Sequence, residues 1–183
     1  MSNPASHGTA KVRRRPERGF SLIELLIVVA IILIIAAIAI PSLLRAKISA
    51  NESSAVASLR TITTAETTYA SGWGSGYATA LSNLGGSIPC TIATAANACI
   101  IDAGLSVAPF SKSGYKFVAI GNTPVAGVNN GFEANATPNM VDISGKRAFC
   151  SDQTGVIRGN TTGVAFGTAP TTCATAGALI IGN

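Results

Sequence analysis

Few side chains in this sequence are of a type that carries out chemistry. The 183 residues include four cysteines and a single histidine, His7, and only 11% of them are charged. Nucleophilic catalysis needs a base beside the nucleophile, and a zinc site needs closely spaced cysteine or histidine ligands. The sequence contains no Cys-x-x-Cys pair and no Gly-x-Ser-x-Gly motif. We therefore expect no enzyme, no catalytic residue, no metal ion and no other cofactor, although the scattered Asp102, Asp142 and Asp152 leave a calcium site open.

The most unusual carboxylate is Glu24, which lies in a long apolar run. Residues 20–40 read FSLIELLIVVAIILIIAAIAI, and Ser21 and Glu24 are the only polar residues among them. As a helix this run would extend about 31 Å, the thickness of the hydrocarbon core of a bilayer. Its fifteen Phe, Leu, Ile and Val residues favour insertion by about 4.5 to 9 kcal/mol, against a cost of about 3 kcal/mol for one carboxylate. We predict a membrane-spanning helix in which Glu24 is functional, the alternative being a charge tolerated near the membrane surface.

Positive charge is concentrated before this run. The formal net charge is +5, and the basic residues of the first nineteen are Lys11, Arg13, Arg14, Arg15 and Arg18. Because cytoplasmic flanks of membrane helices are rich in such residues, we expect the N-terminus in the cytoplasm and the chain after Ile40 outside it. The rest of the chain is close to neutral, so no nucleic-acid site is expected. A cleaved secretory signal that ends in AAIAIPS is the alternative.

A short motif joins the basic segment to the apolar run. It reads Arg18-Gly19-Phe20-Ser21-Leu22-Ile23-Glu24, and Pro41 lies twenty-one residues beyond Phe20. This arrangement resembles the N-terminus of a type IV prepilin over about the first fifty residues. The resemblance implies that a membrane aspartic peptidase, the prepilin peptidase, cuts between Gly19 and Phe20 on the cytoplasmic side. It also implies N-methylation of Phe20, and retention of the apolar run in the mature protein.

The resemblance implies a role in assembly for Phe20, Glu24 and Pro41. Cleavage leaves an ammonium group on Phe20, and we expect Glu24 of a neighbouring subunit to pair with it. Two unit charges 4 Å apart attract by about 4 kcal/mol at an effective dielectric constant of 20, so such a pair would set the register of the subunits. The implied partners are copies of the same chain, the prepilin peptidase and methyltransferase, the pilus assembly platform and the inner membrane.

Beyond the apolar run the sequence predicts that the helix continues. Apolar residues recur at mainly three- and four-residue spacings, which predicts a helix over 20–70, with 20–40 in lipid or filament core and 41–70 packed on a head. The stripe consists of Ile48, Ala55, Val56, Leu59, Ile62 and Tyr69. Pro41 is expected to kink this helix, and a helix end there is the alternative. Arg45, Lys47 and Glu52 are interpreted as a solvated collar.

Residues 71–183 have an amino-acid composition and pattern typical of a β-rich head. Short β-prone runs alternate with Gly, Ser, Thr and Asn, and we predict about four antiparallel strands laid on the helix. The runs are 115–120, 131–136, 140–143, 146–150 and 156–158, with turns at 144–145 and 153–155. With a leader over 1–19, the predicted fold class is α+β, a long N-terminal helical spine with a C-terminal antiparallel sheet, which matches the pilin fold that the resemblance implies.

All four cysteines lie in the segment predicted to be outside, where oxidation is favoured. They are Cys90, Cys99, Cys150 and Cys173, and three pairings are open. We favour Cys90 with Cys99 and Cys150 with Cys173, because each pair closes a local loop. The second would attach the C-terminal segment to the sheet, as the C-terminal disulfide does in the family that this chain resembles. A zinc site is the rival interpretation.

The predicted function is that of the major structural subunit of a type IV pilus, acting in adhesion, motility or DNA uptake. The protein would lie in the inner membrane as precursor and then in an extracellular filament. A pseudopilin of a type II secretion system shares the whole N-terminal motif and is the first alternative. A singly anchored periplasmic enzyme or binding module is the second.

Overall fold

A computed structural model describes residues 19–86, 89–175 and 179–181 of the chain. The predicted leader therefore lies outside the described residues except for Gly19. The chain divides into two compact units, Met1–Ile40 and Pro41–Asn183, and each is described by itself below.

A single long helix, α1, runs from Leu22 to Trp73 over 52 residues and contains Pro41. The alternative of a helix end at Pro41 is therefore wrong. The helix also extends beyond the predicted end at residue 70, through Gly72. Trp73 stacks on Tyr69 one turn earlier, with ring centroids 5.3 Å apart, and such i, i+4 pairs stabilise a last turn. Gly74 follows with φ +65°, the left-handed conformation that commonly ends helices.

Within the described residues, the sheet has six antiparallel strands whose spatial order is the order along the chain. The strands are β1 Ser111–Lys112, β2 Tyr115–Val125, β3 Val128–Pro138, β4 Ala148–Asp152, β5 Arg158–Asn160 and β6 Leu179–Ile180. In the part of the chain that the structure describes, three one-turn helices accompany the strands, α2 Leu81–Leu84, α3 Ala103–Ser106 and α4 Thr172–Thr175. The predicted α+β class, a long N-terminal helix followed by an antiparallel sheet, is confirmed.

Strands β2 to β5 overlap four of the five predicted runs, but the prediction of a strand over 140–143 is wrong. That segment belongs to the connection between β3 and β4, which bends tightly. Ser144 accepts a hydrogen bond from the N–H of Met140 at 3.0 Å and donates one to its carbonyl at 3.0 Å. Asp142 has φ +64°, outside the extended range of a strand. Local hydroxyl bonds thus compete successfully with the β pattern.

Both faces of the sheet are buried along β4 and the adjoining part of β3, which the alternation of a two-layer head does not predict. One face joins α1 in a core that includes Leu59, Ile62, Tyr115, Phe117, Phe132 and Phe149. On the other face Ala148 and Cys150 cluster with Phe166 and Cys173 from the C-terminal segment. All five residues of β4 are consequently buried.

Candidate processing and assembly site

The residues at the predicted cleavage point precede α1 and are open to solvent. Gly19, Phe20 and Ser21 are not helical, and the side chain of Phe20 is 82% exposed. A Cβ atom added to Gly19 would meet no atom within 4 Å. Packing against the described residues therefore does not require a glycine at position 19, and the requirement would come from close approach of a protease to the backbone.

Ser21 and Glu24 together begin the helix. The carbonyl of Ser21 accepts the first helical hydrogen bond, from the N–H of Leu25 at 3.2 Å. The Ser21 N–H donates to Oε2 of Glu24 at 3.0 Å. This is the reciprocal half of a capping box, in which a Glu three residues after the cap accepts from the cap's own backbone. Sequence reasoning missed this role, although the Ser-x-x-Glu spacing signals it.

The position of Glu24 also suits its charge. A carboxylate in the first helical turn is stabilised by the positive end of the helix dipole. Only Oε2 is engaged, since Oε1 accepts no hydrogen bond from the described part of the chain. One oxygen thus caps the helix of its own chain, and the other is available for a second donor.

The first half of α1 exposes an unusual amount of apolar surface. Its best window has a mean hydropathy of 3.3 with none of it buried, and the helix is long and apolar enough to cross a membrane. The exposed apolar side chains begin at Phe20, two residues before the helix, and continue through Leu43 and Leu44. Monomeric soluble proteins rarely leave a patch of this extent uncovered. Lipid or a second apolar helix would have to cover it.

Comparison with known proteins identifies this segment. Residues 14–40 match the family model of the prokaryotic N-terminal methylation motif. The chain carries a prepilin signal. This signal is shared by type IV pilins and pseudopilins and is associated with structural subunits of filaments. No curated protein and no solved structure matches the chain.

The prepilin signal contains Gly19, Phe20 and Glu24, and Pro41 follows it directly. The structure places Glu24 against the peptide group that follows Phe20. Pro41 lies within α1, where it lacks the N–H that would bond to the carbonyl of Ala37. Cleavage after Gly19, methylation of Phe20 and the assembly role of Glu24 remain predictions.

In the second unit, Glu52 is not part of a solvated collar. It is only 7% exposed, and its Oε1 accepts hydrogen bonds from the N–H groups of Lys146 at 2.9 Å and Arg147 at 3.1 Å. Its Oε2 lies 2.7 Å from a terminal nitrogen of Arg147. Arg147 in turn lies over the ring of Phe149 at 5.3 Å. Because Glu52 and Arg147 are 95 residues apart in the sequence, no local pattern could have indicated the contact between them.

Two further carboxylates, those of Glu66 and Glu133, are fully buried. Glu66 on α1 accepts a hydrogen bond from the N–H of Ala78 at 2.8 Å, while its Oε1 has no partner among the described residues. Burial raises the pKa of Glu66 to about 7, and the Ala78 bond opposes that shift. With this pKa the Glu66 carboxyl group is mostly protonated below neutral pH.

Glu133 on β3 connects the C-terminal segment to the face of the sheet that is turned away from the α1 core. Its Oε2 accepts a hydrogen bond from the N–H of Cys173 at 3.2 Å, and Asp152 is its partner on β4. Burial raises the pKa of Glu133; the bond from Cys173 lowers it, and the charge of Asp152 raises it again. Asp152 lies 3.5 Å from Arg158, so a buried polar layer underlies the C-terminal segment.

Two disulfides close local loops in the head. Cys90 bonds to Cys99 with a Cα–Cα distance of 5.9 Å, and Cys150 bonds to Cys173 with a distance of 5.7 Å. The second spans 23 residues and attaches α4 to β4. Within the described ranges, no three His, Cys, Asp or Glu side chains are grouped so as to hold a metal ion.

Proposed function

We propose that this protein is the major structural subunit of a type IV pilus. The observation that carries the proposal is the apolar surface of residues 20–44, most of which lies within the matched prepilin signal and which the described residues do not cover. After cleavage between Gly19 and Phe20, that surface remains on the mature chain. It first holds the subunit in the inner membrane and then packs against the same surface of other copies.

The chemistry of assembly would be electrostatic and not catalytic. Removal of the leader leaves an α-ammonium group on Phe20, and N-methylation keeps its charge. One carboxylate oxygen of Glu24 has no donor among the described residues, and pairing it with the Phe20 amine of a neighbour would compensate both charges in apolar surroundings. The pair would fix the axial register, because a displaced subunit would leave two uncompensated charges.

The geometry of the polymer follows from the type of contact. A head-to-tail contact between identical subunits that does not close into a ring generates a helical filament. The basic leader holds the precursor's N-terminus in the cytoplasm, where the prepilin peptidase would cut. The assembly platform would then extract subunits into an extracellular pilus. Two disulfides suit a head that functions in an oxidising environment.

Mass spectrometry of the N-terminus, combined with electron microscopy of sheared surface material, tests this proposal. We expect a chain that begins with methylated Phe20 and that is recovered in surface filaments. A mature chain that retains Arg18 and Gly19, or that lacks the apolar run, would instead indicate a singly anchored or a secreted periplasmic protein. A product that is found only as a soluble monomer would also contradict the proposal.

A type II secretion pseudopilin is the alternative, because it carries the same signal. It would also begin with methylated Phe20, so the mass alone does not separate the two. The location does, since a pseudopilin would form a short periplasmic assembly and would be absent from sheared surface filaments.

A further inference from the structure

A cavity of about 520 Å³ lies in the second unit, between α1, the end of the β3–β4 connection and the segment that follows β5. Arg45, Ile48 and Glu52 line it from successive turns of α1. Lys146 and Arg147 line it from just before β4, and Thr161 from just after β5. The N-terminal signal does not account for this cavity. Its lining combines positive charge, hydroxyl groups and one apolar wall, which is the composition of an anion site beside an apolar surface.

The only carboxylate in this lining is already neutralised. Glu52 accepts two backbone hydrogen bonds through Oε1 and pairs with Arg147 through Oε2. Lys146 lies 3.7 Å from Asp142, but both side chains are about two-thirds exposed, and such pairs are weak. Arg45 has no ion pair with any described residue. Arg45 and Lys146 therefore give the cavity a positive charge that the fold does not compensate.

The fold also removes acidic groups from the rest of the exterior. Four of the carboxylates in the second unit are buried, namely Glu52, Glu66, Glu133 and Asp152. The exposed ones are Asp102 and Asp142, while the exposed basic residues are Arg45, Lys47, Arg60, Lys112, Lys116 and Lys146. A chain that is nearly neutral after its leader thus has a cationic surface. An anion that approaches the cavity meets little repulsion.

The position of Arg45 along the chain indicates which anion this would be. Arg45 is the first charged residue after the exposed apolar stretch, which ends at Leu44. In a membrane-inserted helix, basic residues at this point lie in the headgroup layer and attract anionic lipids. A guanidinium group offers paired donors to phosphate oxygens, and Ser49 and Thr161 add hydroxyl groups beside it.

We propose that this cavity binds the phosphate group of an anionic phospholipid while the subunit is in the membrane. The proposal rests on the membrane-inserted stage of the proposed function. Arg45 and Lys146 bind the phosphate oxygens, and Ile48 lies beside the start of the acyl chains. Arg147, which Glu52 holds in place, forms a fixed wall of the site.

Native mass spectrometry tests this site. The mature full-length chain is reconstituted in nanodiscs that contain equal amounts of phosphatidylglycerol and phosphatidylcholine, and the lipids retained after release are counted. We expect preferential retention of one phosphatidylglycerol per subunit. The double variant Arg45→Gln/Lys146→Gln should lower that retention at least fivefold. The control Lys112→Gln/Lys116→Gln removes the same charge elsewhere on the exterior and should retain the lipid as the wild type does.

Three outcomes would overturn the inference. They are equal retention of the two lipids, equal losses in the cavity variant and the control, and displacement of the lipid by inorganic phosphate at low millimolar concentration. The last would show a site for a free anion. Alkaline carbonate extraction measures bilayer insertion independently, so a chain that is not inserted contradicts the proposed function itself, whereas an inserted chain without lipid preference contradicts only this inference.

Discussion

Glu24 serves one function that the structure shows and one that we propose. Its Oε2 caps the first turn of α1 by accepting from the Ser21 N–H, and its charge is the predicted partner of the Phe20 amine of a neighbour. Substitution by alanine removes both functions at once and would not separate them. Glutamine also serves at this position of a capping box, so it keeps the cap and removes only the charge.

We therefore predict that Glu24→Gln gives an inserted and correctly cleaved subunit that does not assemble. The physical reason is that the Phe20 ammonium group would lack a counter-charge in the filament core. Electron microscopy of sheared material measures filaments, and immunoblotting of membranes measures the processed subunit. Normal filaments from cells that produce only the glutamine variant would contradict the pairing.

Gly19 gives a second prediction at the level of a single residue. Because a Cβ at position 19 meets no neighbour, Gly19→Val should leave the fold and the insertion unchanged. It should nevertheless accumulate as full-length precursor, since a branched side chain hinders approach of the peptidase to the scissile bond. Intact-protein mass spectrometry of membranes measures the precursor fraction.

Gly72 offers the matched control, because it also has open space around its Cα but lies at the far end of α1. Gly72→Val should be processed as the wild type is. Equal processing of the two variants would refute a steric requirement at the cleavage site.

At the level of elements, α1 is joined to the β3–β4 connection through Glu52. The carboxylate satisfies two backbone N–H groups of that connection and the side chain of Arg147. A buried acceptor that serves three donors cannot be removed without leaving those donors unpaired. Asn51 makes a second hydrogen bond between α1 and this connection, since its side-chain amide donates to the carbonyl of Ser144 at 2.8 Å.

We predict that Glu52→Ala lowers the free energy of unfolding by about 3 kcal/mol, because it leaves a partly buried guanidinium and two amides without their acceptor. Denaturant unfolding of the full chain in detergent, followed by the fluorescence of Trp73, measures the change. Asp142→Asn removes the exposed pair with Lys146 and should cost less than about 0.5 kcal/mol. Similar losses in both variants would show that Glu52 is no more than a surface charge.

At the scale of the whole molecule, the buried carboxylates make stability depend on pH. The pKa of Glu66 rises from 4.5 to about 7 on folding because burial disfavours its charged form. Between these values the unfolded chain has lost the proton that the folded chain still holds, so rising pH favours unfolding. Burial also raises the pKa of Glu133, which acts in the same direction.

We predict that the wild-type head loses about 3 kcal/mol through Glu66 as pH rises from 4.5 to 7, with little further loss from this group above pH 7. Glu66→Gln keeps an acceptor for the Ala78 N–H and should remove this part of the pH dependence. Unfolding free energies at pH 5 and pH 8 test it in the full chain. The control Asp102→Asn alters an exposed carboxyl and should keep the wild-type difference. An unchanged difference in the glutamine variant would contradict the prediction.

The sequence by itself determined the features that depend on near neighbours. The order Gly19-Phe20, Glu24 and the apolar run is a linear pattern, and the helix from Leu22 follows from composition without reference to the rest of the chain. The α+β class and four strand positions follow from runs of β-prone residues between turn residues. Each of these inferences involves residues that are close together in sequence.

Only the tertiary structure decided which polar groups lose their water. Glu52 looks like any solvated helix residue until a connection 95 residues away places Arg147 beside it. The strand expected over 140–143 is a turn because Ser144 bonds to Met140, and β4 is buried on both faces because the C-terminal segment covers the sheet. Burial and pairing depend on contacts that are distant in sequence, and periodicity reports only on local geometry.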